Sequence, residues 1–495
     1  MKHLNPEPGE VYSCYVKELK KYGAYQILSV AKKSICYVTL DYLEDVPPTE
    51  EMLSSLTPFY EEWYRLHHQI AMTYTSNDRI PKDYLYIGKC RPVTDKPCNS
   101  FSGDWNDGLY YVIRAGWEAI DADARAAYKK YINSGEQVKI GNNWYKKNGG
   151  VMRDDLYQDL LLGGDIRQLP CLTSARVDGY STKLVELMKA SPILKSLHLN
   201  HPGVEVLDLR GTYLDELELD MTGVTKLYLP KETKELELSG EIREDLQIDD
   251  SACTQPIALR IYGKKAKLQN YGLRQVSALR VWDIKELDME QVVQQYPEIE
   301  TLGLWGAPGV VTNITAMEHL QSLRKLIATD IFGYGEEEIK VLEKLPKLNR
   351  LYLESIPKEA GAYLKKRWKN MLDTLEITRL RDEGWLADNL TNPLRHWDGS
   401  EFVPPTAYKK AFSTYKNTKK QMQEAGSREA VIAVTKEYVE AFNKLNAKYE
   451  EFIETEERED IYRAMEQIYK ECIRHKNIIS LNELFDVMDD ERDDW

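Results

Sequence analysis

Ten short pulses of the form apolar-x-apolar run through the middle of this 495-residue chain, and any fold must bury all of them at once. They are Ala175/Val177, Leu197/Leu199, Leu217/Leu219, Leu236/Leu238, Leu259/Ile261, Leu279/Val281, Leu302/Leu304, Leu326/Ala328, Leu351/Leu353 and Leu375/Ile377. Their first members are separated by 22, 20, 19, 23, 20, 23, 24, 25 and 24 residues. Side chains alternate across a strand, so each triplet turns its two apolar members inward and its middle residue outward. Each pulse therefore predicts a short, half-buried strand. The first and eighth carry Ala in place of a larger residue.

A second series lies between members of the first: Leu207/Leu209, Leu227/Leu229, Leu246/Ile248, Leu268 and Leu287/Met289. Taken together the two series would repeat every ten or so residues, too short to encircle a core. Taken separately they give coils with a strand on each side, and steps of about 20–29 residues are the period of leucine-rich repeats. After Leu287 the second strand gives way to helical stretches, Glu290–Tyr296, Glu336–Leu345 and Glu359–Leu372, two of them followed by Pro297 and Pro346. The expected fold class is α/β: a leucine-rich-repeat solenoid with an N-terminal α+β domain and a C-terminal helical bundle.

The flanks set the expected domains. Residues 1–150 open with β-rich segments at Val11–Val16, Tyr25–Val30 and Ser34–Leu40, with turns at Gly23 and Lys32/Lys33, which suggests a small SH3-like or barrel-like unit. A helix is expected over Glu50–Met72 and a strand over Tyr84–Gly88. The Asn142–Gly150 stretch reads as a turn or linker into the repeat region, 151–385. Residues 386–495 carry helical stripes: Ile432, Tyr438, Phe442, Leu445, Tyr449, Phe452, then Ile461, Met465, Ile468, Cys472. A further helix would start at Pro404/Pro405 and break at Gly426. Such a bundle would cap an open solenoid end or bind a partner of its own.

Composition narrows the function. The 66 Lys and Arg against 80 Asp and Glu leave a net charge of -14, which disfavours nucleic acid and favours a basic protein partner. No stretch reaches the roughly 18 apolar residues of a membrane span, and Met1–Glu10 lacks the apolar core of a signal peptide. Seven scattered cysteines without a CxxC point to free thiols and a cytoplasmic location.

Three segments carry a resemblance: Leu302–Gly309 (LGLWGAPG), Trp385–Leu390 (WLADNL) and Asn392–Gly399 (NPLRHWDG). Together with the order of elements they resemble bacterial leucine-rich-repeat proteins often labelled gliding motility proteins. These are similar in kind to immunity proteins that neutralise a toxin by binding it. The resemblance implies an architecture and a binding role, and carries no catalytic residue across.

Chemical motifs are absent: there is no GxSxG, HExxH, GxxxxGK[ST] or GxGxxG. His67 and His68 are adjacent and lack metal-ligand spacing, and Asp104-Trp-Asn-Asp107 reads first as a turn. No cofactor and no metal are expected, and the chain is expected not to be an enzyme; any catalysis would have to lie in the N-terminal region.

The outward positions of the pulses are more informative. Pulses two to four present Ser196, His198, Asn200; Glu216, Glu218, Asp220; and Glu235, Glu237, Ser239. Five acids would then line rungs about 4.8 Å apart. Pulses five to seven bring Arg260, Tyr262, Arg280, Trp282, Gly303 and Trp305, with Tyr262, Trp282 and Trp305 in one column. Pulses eight to ten add Lys325, Ile327, Arg350, Tyr352 and Glu354. Like charges on neighbouring rungs repel, so the acids are either a solvated face or a seat for a basic partner. Trp, Tyr and Arg dominate binding hot spots; the same column could instead be covered by the N-terminal domain or hold a small ligand.

The last 15 residues, Leu481–Trp495, hold seven acids and one Arg. Such an end is usually solvated, yet Leu484, Phe485, Val487, Met488 and Trp495 give it something to dock with. The expected function is non-enzymatic protein binding through the solenoid face, of the immunity type toward a basic toxin or effector, or as a scaffold or regulatory adaptor in motility or signalling.

Overall fold

The computed structural model describes residues 6–31, 34–66, 68–75, 79–98, 100–262, 268–369, 371–449, 451–493 and 495. The chain divides into two compact units, Met1–Arg381 and Asp382–Trp495.

Every pulse of the first series is a strand. Ser174–Asp178, Ser196–Asn200, Glu216–Asp220, Glu235–Ser239, Ile257–Tyr262, Val276–Asp288, Thr301–Thr312, Lys325–Phe332, Arg350–Glu354 and Thr374–Thr378 are rungs one to ten of a single sheet. Val151–Met152 adds an eleventh strand before rung one, and all pairings are parallel. The long connections between pulses require this, because parallel neighbours need a crossover of a dozen or more residues. The first members stand in one register from rung to rung: Ala175 opposite Leu197, Leu197 opposite Leu217, and so on to Leu351 opposite Leu375. Of the twenty pulse residues all but Leu375 are buried. Each large one contributes about 1.5–3 kcal/mol of hydrophobic stabilisation.

The expected leucine-rich-repeat solenoid is corrected by this architecture. The chain forms a mixed α/β unit built on one large parallel sheet, and the N-terminal sheet belongs to that same unit. Two physical features defeat the regular repeat. Rungs six and seven run to 13 and 12 residues and shift register after Val281 and Trp305, so they outgrow a short repeat strand. Cys171 and Ile193, just before rungs one and two, pack into the N-terminal core. The second series yields only a three-stranded parallel sheet, Val206–Asp208, Lys226–Tyr228 and Gln247–Asp249. Leu287 lies instead within rung six. Beyond it, Met289–Gln295, Glu336–Ile339 with Lys340–Lys344, and Lys358–Arg367 are helical.

In the N-terminal sheet the order is Leu85–Lys89, Glu10–Val16, Lys21–Ala31, Ser34–Glu44, Met72–Thr75, Phe101–Ser102, antiparallel except for the last pair. Leu109–Glu118 and Ala122–Tyr131 are helices, and Tyr111 and Tyr128 join Tyr25 and Tyr37 in its core. Tyr111 accepts a hydrogen bond from the Ala24 amide at 3.0 Å and donates to the Leu40 carbonyl at 2.7 Å. Its ring lies where a Cβ on Gly23 would come within 2.4 Å, so only glycine admits it. The helix expected over Glu50–Met72 is corrected to a 3-10 turn, Glu50–Ser55, then a ladder of Tyr60–Glu61 with Gln69–Ile70. Pro58 explains the break: it disfavours helix at the residue before it and bridges to Leu40 in antiparallel fashion. The Lys32/Lys33 turn lies outside the described residues, as does His67.

The second unit has helices at Pro405–Glu424, Arg428–Lys448, Thr455–Ile468 and Leu481–Glu491. Pro405 occupies the first turn, where a missing N–H costs nothing. The acidic end packs onto this unit through its described residues: Ser480 and Glu483 form a capping box, Leu484 and Met488 are buried, and the Trp495 indole donates to Asn443 at 2.6 Å.

Candidate functional site

The outward face of rungs two to seven gathers the residues singled out by their position. Register places Glu216 beside Glu235, Glu218 beside Glu237, Glu237 beside Arg260, Arg260 beside Arg280, and Tyr262 beside Trp282.

Trp282 and Trp305 stack face to face, with centroids 4.2 Å apart and planes 5° from parallel. The Trp305 ring folds back over Gly303, where a Cβ would come within 2.5 Å of it. On rung five the Arg260 guanidinium lies 5.8 Å from the Trp282 ring. Both indoles are half-buried. The Trp282 indole N–H is shielded from solvent and has no hydrogen-bond partner among the described residues. With the two rings in contact, no gap remains between them for a sandwiched ligand.

Four of the five acids already have partners within the chain. Glu237 accepts from Arg260 at 2.6 Å and from the Tyr262 hydroxyl at 2.7 Å. Glu235 pairs with Arg280 at 3.4 Å, and Glu218 with His198 at 2.7 Å. Asp220 accepts from the amides of Thr222 and His201. Glu216 makes no hydrogen bond or ion pair among the described residues, and desolvation by its packed neighbours, then Asp215 and Glu235, pushes its carboxyl up. Beside it is a notch of about 160 Å3 lined by Ser196, Glu216, Glu218, Glu235, Glu237 and Arg260. Arginines thus pair with Glu235 and Glu237, amides satisfy Asp220, and Glu216 is the acid of the five left without a partner among the described residues.

Tyr352 lies elsewhere in function. Its hydroxyl donates to Asp104 at 2.6 Å, and Arg350 on the same rung reaches Asp107 at 2.7 Å and Asp104 at 3.4 Å. The Asp104–Asp107 turn is therefore a clamp that holds the N-terminal sheet to rung nine, and Tyr352 is used within the chain. Asp107 also accepts from Tyr84 at 2.9 Å. Further ties are the Lys17–Glu300 ion pair and the Lys82 amide donating to Asp373 at 3.4 Å. The sequence signal for this clamp was the pair of acids flanking a tryptophan, opposite a basic stretch of rungs. Their separation of some 250 positions hid the match.

No family model matches this chain, and no curated protein is significantly similar to it.

Of the other candidates, His68 stacks on Tyr60 at 4.0 Å and its Nδ1 lies 2.8 Å from Glu62. Among the described residues no group of three His, Cys, Asp or Glu side chains could hold a metal ion, and no helix is long and apolar enough to cross a membrane. In the second unit the NPLRHWDG stretch has a packing role. Trp397 is buried and donates through its indole N–H to Asp460 at 2.9 Å, and Asp460, 2% exposed, also meets His396 and Arg463.

Proposed function

We propose that this chain is a non-enzymatic binding protein that captures a basic protein partner on the outward face of rungs two to seven. The observation that carries the reading is the Trp282–Trp305 stack, half-exposed on the sheet beside Arg280 and Glu216, which is unpaired among the described residues. Stacked indoles offer a large, rigid contact area at little further cost in side-chain entropy, which is the character of a hot spot. The charged ladder around them supplies register: a partner cation seated at Glu216 replaces no existing ion pair, whereas one seated at Glu237 would have to displace Arg260. Immunity-type capture of a basic toxin in the cytoplasm is the form of this role that suits the net charge of -14.

The test is affinity capture with immobilised wild-type chain, the Trp282→Ala/Trp305→Ala double variant and Glu216→Lys, from lysate of the source organism at low and high salt. The expected result is a basic protein retained by wild type, lost from the double variant, and weakened by Glu216→Lys and by salt. Retention of the same proteins by all three chains would end this reading.

A further inference from the structure

The face of the N-terminal sheet turned away from its helices borders a second candidate site. It is a cavity of about 680 Å3 whose walls include Glu61, Gln69, Ile70, Met72, Pro97 and Ser100. The ladder of Tyr60–Glu61 with Gln69–Ile70 fixes one wall, and the Tyr60–His68 stack braces the ladder. Ile70 and Met72 belong to the apolar cluster on this side of the sheet.

Glu61 stands out within it. The residue is 9% exposed, and its carboxyl makes no hydrogen bond or ion pair with any described residue. Partial burial without a partner disfavours its ionised form, and no side chain among the described residues offsets that cost. The other ionisable groups facing the cavity are His68, Cys98 and the exposed Lys96. His68 is engaged with Glu62, and neither Lys96 nor Cys98 makes a hydrogen bond or ion pair with Glu61.

We propose that this cavity binds a small primary amine, its ammonium group on the Glu61 carboxylate and its short hydrocarbon stem against Ile70, Met72 and Pro97. Gln69 and Ser100 supply neutral oxygens for the remaining ammonium hydrogens. The cavity has the size of a small-molecule site, and its mainly polar lining is interrupted by an apolar strip of Ile70, Met72 and Pro97. Burial pushes the Glu61 carboxyl up to about 7, so near neutrality the empty site is about half protonated. An ammonium ligand needs the ionised form. Binding therefore releases a proton, and affinity falls as pH drops below about 7.

The experiment is titration calorimetry of the full chain with n-butylammonium chloride, using n-butanol as the uncharged control. At pH 8 the wild type should bind one equivalent with a Kd of about 1 mM, the scale open to a ligand of this size, while butanol gives no saturable heat. At pH 6 the affinity should drop about tenfold, with proton release visible as a dependence on buffer ionisation enthalpy. Glu61→Gln, checked for folding by thermal melt, should lose binding at least tenfold. No saturable heat from butylammonium with wild type, or equal binding of butanol, overturns the proposal without recourse to any variant. So does undiminished binding by folded Glu61→Gln.

Discussion

Replacing Arg350 by Met tests whether the Asp104–Asp107 clamp holds the first unit together. The substitution keeps the volume of the aliphatic stem and removes the guanidinium that meets Asp107 at 2.7 Å and Asp104 at 3.4 Å. Breaking a buried ion pair by deleting one partner costs about 3–5 kcal/mol. Here the loss is smaller for two reasons. The Asp107 side chain is 42% exposed, and each carboxylate keeps a hydroxyl donor, Tyr84 for Asp107 and Tyr352 for Asp104. The expected destabilisation is therefore about 2–3 kcal/mol at pH 8, a fall in melting temperature of roughly 3–4 °C. Burial already pushes the Asp107 carboxyl up, with Arg350 opposing that shift. Without Arg350 it rises further above its unfolded value, so the penalty is largest above that folded pKa and is relieved as acid protonates the group. Urea unfolding followed by circular dichroism at pH 5 and pH 8 measures both values. A loss under about 1 kcal/mol at pH 8, or a penalty that grows toward pH 5, would show that the clamp does not bear on stability as argued.

Gly303→Ala should displace the Trp305 indole, since the new Cβ would sit 2.5 Å from its ring. Loss of the stack, about 0.5–1.5 kcal/mol, is offset by the strand preference of Ala over Gly, so near-ultraviolet circular dichroism should change while unfolding moves by less than about 1 kcal/mol. Trp397→Phe removes one donor from the buried Asp460, and the second unit should lose about 1–3 kcal/mol by thermal melt; an unchanged melt would mean His396 and Arg463 satisfy that carboxylate alone. Burial pushes the thiols of Cys14 and Cys36 up to about 12 and those of Cys171 and Cys253 up to about 11, so iodoacetamide at pH 8 should leave these four unmodified in the native chain and label them in urea. Rapid native labelling of any of the four, read by peptide mass spectrometry, would contradict their placement.

How much of this was legible depended on distance along the chain. The pulses encode strand, register and outward face within three residues each, so the column of Tyr262, Trp282 and Trp305 could be placed from spacing alone. Even the Ala of Ala175 and Ala328 did not mislead, because parallel neighbours on both sides carry the pairing. Period alone did not reveal how far each strand extends. The bulges after Val281 and Trp305 lengthen rungs six and seven, and the apolar pattern there runs on without a boundary mark. Charge balance was also illegible, since the pairings of Glu235 with Arg280 and Glu237 with Tyr262 depend on which way long side chains lean across rungs. The amphipathic acidic end was ambiguous by sequence, because charge count argues for solvation and Leu484, Met488 and Trp495 argue for docking. Packing decided it.

The clamp also sets an order of events during synthesis. Asp107 leaves the ribosome 243 residues ahead of Arg350, and at about 5–20 residues per second that interval is roughly 12–50 seconds. Each rung can pair with its predecessor as it emerges, but the two aspartates of the N-terminal region must wait for the ninth before they meet Arg350. The clamp therefore closes only as the last rungs of the sheet are made.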